Sequence, residues 1–483
     1  MSTEKTTADV ADVIPAADRV PLKVKIGYGA GGISDFLTYT VPQNMATPIY
    51  ARECGMDPAL MGIALAIPRA LAALADAMMG SLSDNARTRW GRRKPFILVG
   101  MILCAFLLPA LWAPALLNGL LGPKWGMFAY VSGLTSLYTV CYSVFYVPYL
   151  ALGYELTTDY HERTRIQAWK GYMSGIAFFL PNFFYLFCRQ FSSMTTGVRW
   201  LSVLAGAVMV AGALMTVGTC QEKARGSAQA RMPLREALAL TVRNRAFLML
   251  QAAVFFLTLG VCCGGSAGFF LLLDYVCGGD QTRYGLLVAV SGSVQNVMTY
   301  AGVALGVFCS VRLGKKATAA AGCVSVLAGV AAMTVFLAPY QPWLPQLPLR
   351  FHPYLTMIPG ILMNLGLQGC TLMIASMTAD ICDEDDRVTG LRREGAYAAM
   401  AGFLSKLSGV LMMGMSGLIP WLVGYHAADR VPTEAQLFSM KWILIAAQGG
   451  IALIALLFIL LYPLTRERAA ETRRVLDARR RSC

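Results

Sequence analysis

Residues 69–95 read RALAALADAMMGSLSDNARTRWGRRKP, and the rest of the chain is organised around this stretch. Its first half is apolar enough to lie in lipid yet holds Arg69 and Asp76, and its second half is a dense basic loop. A charge within hydrocarbon costs several kcal/mol, so such a residue faces a partner or a water-filled pathway. The cations Arg87, Arg89, Arg92, Arg93 and Lys94 mark the cytoplasmic side under the positive-inside rule. The plainer alternative is a helix end with snorkelling charges. That suits the long stem of Arg69 better than Asp76, whose short side chain stands about 12 Å from the loop at the helical rise.

Of the 483 residues, 56% are hydrophobic and 14% charged, and the mean hydropathy is +0.55. That composition is too apolar for an ordinary soluble protein and indicates an all-α, polytopic membrane protein. The formal charge of +14 resides in short loops and a tail, which calls for anionic lipid and topology rather than a nucleic-acid partner. The 13 cysteines are scattered through apolar segments with no metal-ligand spacing, and only three histidines are present. No metal centre, cofactor or catalytic triad is assembled, which argues against an enzyme.

Apolar runs of about 20 residues predict about twelve spans, near 24–50, 58–84, 95–117, 124–156, 165–189, 199–219, 246–276, 284–312, 316–339, 352–383, 394–424 and 439–462. With both termini inside, about 30 Lys and Arg fall on the cytoplasmic side against about 7 outside, the asymmetry that the positive-inside rule demands. The polar stretch at 221–245 splits the chain after the sixth span. The expected organisation is a disordered cytoplasmic tail (1–22), a six-helix bundle (23–219), a cytoplasmic linker (220–245), a second six-helix bundle (246–463) and a basic cytoplasmic tail (464–483). The tail at 1–22 lacks the apolar core of a cleavable signal, so the first span directs insertion itself. A faint internal echo, Gly80 to Lys94 against Gly306 to Lys316, supports two like halves around a mid-membrane site, the major-facilitator pattern.

Several residues are candidates for a polar pathway. In span one, Asp35, Thr38 and Pro42 follow a glycine run at i, i+3 and i+7, one helical face able to hold a polar solute. Span four carries Tyr138, Tyr142 and Tyr146 at i+4 steps with Tyr149 just beyond, a stripe suited either to helix packing or to the mixed surface of a sugar. Lys170 opens span five, near enough to its start to snorkel. In the second half, Gln295, Asn296 and Thr299, then Asn364, Gln368 and Thr371, offer amides and hydroxyls that either join helices or line a cavity. Lys406 lies about a dozen residues into span eleven, too deep for easy snorkelling, and is expected to have a membrane carboxylate partner.

Together these motifs resemble the glycoside-pentoside-hexuronide cation symporter family of major facilitators. Its opening KxxYGxGxxxxD is similar to Lys25 to Asp35. Its arginine and aspartate helix with a D-x(4)-RWGRRRP loop resembles Arg69, Asp76, Gly80 and Asp84 to Pro95. Its AD-x-x-D and TGxRxEG resemble Ala379 to Asp383 and Thr389 to Gly395, and a span-eleven lysine matches Lys406. The resemblance implies that Asp35 binds substrate hydroxyls, that Asp76 belongs to the cation site, and that Lys406 ties the carboxylates to the second half. Lys170 stands where the best-known member has a sugar-contacting arginine, and lysine lacks that planar fork. Ala72 and Ala75 replace two cation-site oxygen donors, and Tyr146 and Leu150 stand where that member has a sugar-binding aspartate and a tryptophan. Sodium wants several oxygens, and here only Asp76 and Ser143 remain. A lone buried carboxylate favours its protonated form, so H+ is expected over Na+ as coupling ion, the alternative being that coupling is lost altogether.

The expected function is secondary transport of a sugar, glycoside or related hydroxylated solute. The binding residues would be Asp35, Tyr142, Tyr146, Tyr149, Lys170, Asn364 and Gln368, and the coupling residues Asp76, Lys406 and Ser143. The protein is expected to be a monomer in the plasma membrane, the inner membrane in a Gram-negative cell. The alternatives are a carrier of a non-sugar solute or amphiphile, and a membrane sensor that binds without transport.

Overall fold

A computed structural model describes residues 20–86, 88–113, 118–157, 160–222, 244–262, 264–338, 352–389, 394–425 and 431–464, with a few positions between 467 and 475. The expected N-terminal tail, central linker and basic tail lie largely outside the described residues, as do Arg87 and the centre of the 389–395 motif.

Among the described residues twelve helical segments follow one another, and ten stretches are long and apolar enough to cross a membrane. The first half holds α1 (Leu22–Ala46), α2 (Pro58–Asn85), α3 (Lys94–Ala110), α4 (Asn118–Glu155), α5 (Tyr160–Ala177, continued by Pro181–Cys188) and α6 (Met194–Thr219). The second holds α7 (Arg245–Cys262, continued by Gly265–Phe270), α8 (Gln281–Leu313), α9 (Lys315–Phe336), α10 (Met357–Thr389), α11 (Glu394–Ser416, continued by Leu418–Leu422) and α12 (Glu434–Leu460). Local chemistry sets their starts. Asp57 caps α2 by accepting from the Ala59 and Leu60 amides, with Pro58 at the first helical position. Asp280 caps α8 in the same way, and Thr433 with Gln436 forms a capping box at α12. Large apolar side chains point outward, Phe106 being 80% exposed, as surfaces that meet lipid must.

The halves repeat one packing plan. In the first, α1 packs on α6, α2 on α4, and α3 on α4 and α6; in the second, α7 packs on α12, α8 on α10, and α9 on α10 and α12. The sequence echo falls on equivalent seams: a Cβ added at Gly80 would meet Val147 of α4 at 3.8 Å, and one at Gly306 would meet Gly369 of α10 at 3.0 Å. α1 and α7 each end in a π-helical turn, Thr47–Glu53 and Leu271–Val276.

The halves meet through α2 with α11 and α5 with α8. This joint is tightest at the membrane face opposite the basic loops. There a Cβ at Gly417 would lie 1.8 Å from the Pro58 carbonyl oxygen, so only glycine lets these helices close. Arg52 pairs with Asp274 across the halves at 3.0 and 3.2 Å, and the hydroxyls of Thr47 and Ser266 meet at 3.3 Å. At the basic face several ion pairs lie within one half. Arg92 and Arg93 hold Glu155 and Lys25 holds Glu162, while Lys315 holds Asp380 and Glu384 binds Arg387 and Arg468.

Candidate functional site

Asp35 sits halfway along α1, with its carboxylate shared by two neighbours. The Tyr142 hydroxyl of α4 donates to Oδ1 at 2.7 Å, and the Lys170 ammonium of α5 stands 3.4 Å from Oδ2. Lys170 comes this close because Gly32 faces it: a Cβ there would lie 2.9 Å from Lys170 Cγ. Tyr146 stacks on Tyr142, with ring centroids 5.2 Å apart.

Tyr149 belongs to the same stripe but not to an open wall. It is fully buried, its hydroxyl donates to the Tyr28 carbonyl at 2.7 Å, and its ring stacks on Tyr28 and Phe145. Lys170 Nζ lies 5.0 Å from its ring centroid, so Tyr149 backs the cluster and steadies the ammonium. Thr38 is likewise buried, its hydroxyl bonded to the Ser34 carbonyl at 2.7 Å. The stripe of α1 that faces the space between the halves therefore runs Asp35, Tyr39, Gln43 rather than Asp35, Thr38, Pro42. At 3.6 residues per turn a face can drift toward i+4 as readily as toward i+3, and packing decides which.

Asp76 meets the expected partner. Lys406 Nζ lies 2.7 Å from its Oδ2, joining α2 of one half to α11 of the other. Ser143 is fully buried, and among the described residues its hydroxyl has no hydrogen-bond partner. Val147 and Gly80, one turn beyond Ser143 and Asp76 respectively, face each other where the parallel helices α4 and α2 touch, so Ser143 and Asp76 share a level.

Asn364 joins a different group. Its amide donates to Gln295 Oε1 at 3.2 Å, and both line a cavity of about 590 Å3 between the halves with Gln43, Asn44, Ser416 and Gln448. Gln368, one turn further, does not line this cavity. Its Cβ packs toward Gly302 of α8, so of the two amides on α10 one faces the opening and one faces a helix seam. Of the earlier amides on α8, Asn296 is a joint between halves, donating to the Phe178 carbonyl at 2.7 Å.

The Arg52 and Asp274 pair was not legible as a site. Each reads as a charge beside a helix end, and they are 222 positions apart. The available signal was their equivalence, opposite charges at the end of the first span of each half.

The sequence profile described as MFS/sugar transport protein matches residues 27–466. Over 473 residues the chain is 25% identical to the glucuronide carrier protein homolog of Escherichia coli K12, covering 94% of this chain and 95% of that one. It is 34% identical over 156 residues to an uncharacterised symporter of Synechocystis, a match that spans 32% of this chain and 29% of that protein's length. Among solved structures, a bacterial homologue of the iron transporter ferroportin in an inward-facing state superposes with a TM-score of 0.64 at 12% identity, covering 92% of this chain and 99% of that one.

Proposed function

The chain belongs to the MFS/sugar transport protein family, and from that premise we propose that it carries a sugar, glycoside or related hydroxylated solute by alternating access, coupled to proton entry. The observation that carries this reading is the Asp76 and Lys406 ion pair, which ties the two halves together beside the Asp35, Tyr142 and Lys170 cluster. Solute hydroxyls replace Tyr142 or Lys170 as partners of the Asp35 carboxylate, while the Tyr146 ring offers an apolar face. A proton on Asp76 removes the charge that holds Lys406 and frees α2 to move against α11. Ala72 and Ala75 supply no side-chain oxygens for a sodium cage, and Asp76 with Ser143 alone falls short of what a hard cation needs. With the basic loops on the cytoplasmic side, the closed Arg52 and Asp274 face is external and the conformation is inward-facing. The relative named as a glucuronide carrier protein homolog supports a hydroxylated substrate.

Proteoliposomes test this reading. An imposed proton gradient drives uphill uptake in the wild type, and Asp76→Asn loses accumulation but retains exchange down a solute gradient. Undiminished uphill uptake by Asp76→Asn removes Asp76 from the coupling.

A further inference from the structure

Behind the last stretch of α7 the second half is not fully packed. This stretch, Gly265–Phe270 followed by the π-helical turn Leu271–Val276, carries Ser266 and Asp274, which meet Thr47 and Arg52 across the halves. Gly268, Leu271 and Leu272 of the same stretch form one wall of a second cavity of about 160 Å3, completed by Met333 of α9, Met363 of α10 and Leu444 of α12. All of these but Leu271 also line the larger cavity between the halves, so the two spaces adjoin. A Cβ added at Gly268 would meet nothing within 4 Å.

The smaller cavity has little to offer water. Among the described residues on its wall the polar side chains are Thr356 and Gln448, and the Thr356 hydroxyl already donates to the Pro353 carbonyl at 2.6 Å. A buried water makes about two to four hydrogen bonds, whereas an apolar void of about 150 Å3 in an unrelated protein stays dry and takes up benzene. Helix bundles are otherwise close-packed, and an empty void forfeits the dispersion contacts of its lining. A ligand that restores those contacts is neutral, apolar and about the size of one benzene ring.

We propose that this cavity binds a small neutral apolar molecule, and that its occupant holds the face opposite the basic loops shut. Opening that face parts Ser266 from Thr47 and Asp274 from Arg52, so the stretch of α7 that carries both must move. Its Phe270 and Leu271 are buried, the helix is interrupted between Cys262 and Gly265, and the void behind it is the room into which it can tilt. A ligand that fills this room binds the closed state better than the open one and shifts the population toward it. The site itself stands on the cavity alone, and its effect on opening rests on the alternating-access reading above.

Benzene is the probe, and Gly268→Leu supplies an occupant from within the chain. Benzene should raise the melting temperature of purified wild-type protein in lipid nanodiscs and leave that of Gly268→Leu unmoved, because the added side chain takes the space. Gly268→Ala strengthens the helix without filling the void and should retain the benzene shift. A cysteine placed in the larger cavity should be labelled from the face opposite the basic loops roughly tenfold more slowly in Gly268→Leu, and in benzene-treated wild type, than in untreated wild type, the scale set by burying one small apolar group. An equal benzene shift in wild type and Gly268→Leu assigns the effect to the lipid and overturns the site. Unchanged labelling of the wild type with benzene defeats the hold on the gate, even should Gly268→Leu fail to fold. Neither readout uses a transported solute, so failure of sugars to exchange in proteoliposomes sinks the transport reading and leaves this site to be decided by the benzene shift.

Discussion

At Asp35 two donors of different strength share one carboxylate, the neutral Tyr142 hydroxyl at 2.7 Å and the Lys170 ammonium at 3.4 Å. Lys170 is also held over the Tyr149 ring, so removing Asp35 leaves the ammonium with a weaker partner rather than a free choice of positions. Asp35→Ala is therefore expected to insert into the membrane normally and to lose solute binding in a thermal-shift or equilibrium assay. Normal affinity in that variant would remove Asp35 from the binding site. Tyr142→Phe keeps the stacked ring and loses one hydrogen bond, typically about 0.5–1.5 kcal/mol net. Affinity should fall by roughly three- to tenfold, with the melting temperature little changed. A collapse in expression would assign Tyr142 to packing instead.

Elements explain why the halves close where they do. The π-helical turns ending α1 and α7 bring Arg52 and Asp274 together with 14% and 3% of their side chains exposed. Breaking a buried pair by removing one partner costs about 3–5 kcal/mol, because the other charge is left behind. Asp274→Ala should thus favour the alternate conformation by roughly two to four orders of magnitude, read as faster labelling of a cysteine placed in the cavity from the face opposite the basic loops. The exchanged pair, Arg52→Asp with Asp274→Arg, should restore slow labelling. Fast labelling there would deny the pair a gating role. At the basic face, Glu162 accepts from the Val20 amide at 2.9 Å and pairs with Lys25 at 2.5 Å. Burial alone would raise its carboxyl, but the Lys25 ammonium and the Val20 amide hold it below the usual range. A lowered folded-state value stabilises above the ordinary carboxylate pKa and loses that contribution as pH falls through the folded value. Glu162→Gln should lower the melting temperature at neutral pH, with the difference from wild type shrinking in acid. A pH-independent difference would show that shape rather than charge is at stake.

For the whole molecule, two matched bundles around a shared opening follow from the repeated seams, α2 on α4 and α8 on α10, and from joints that pair α2 with α11 and α5 with α8. Much of this was legible beforehand. Twelve apolar runs, a central polar break and basic loops on one side sufficed for the architecture, because lipid leaves a spanning segment few alternatives to a helix. Asp35, Asp76 and Lys406 stood out for the same reason, as charges with nowhere to go but inward. Asp76 and Lys406 proved to be partners, 330 positions apart.

What the chain determined by itself, then, was which residues cannot face lipid, since that follows from composition and helix length alone. Tertiary packing decided what each of them faces. It turned Tyr149 and Thr38 into buried supports, divided Asn364 from Gln368, joined Arg52 to Asp274, and set Arg69 over the Tyr39 ring. Helical periodicity gives an angle around one axis, whereas a partner depends on how two axes are set against each other, and that is settled by the close contacts between helices.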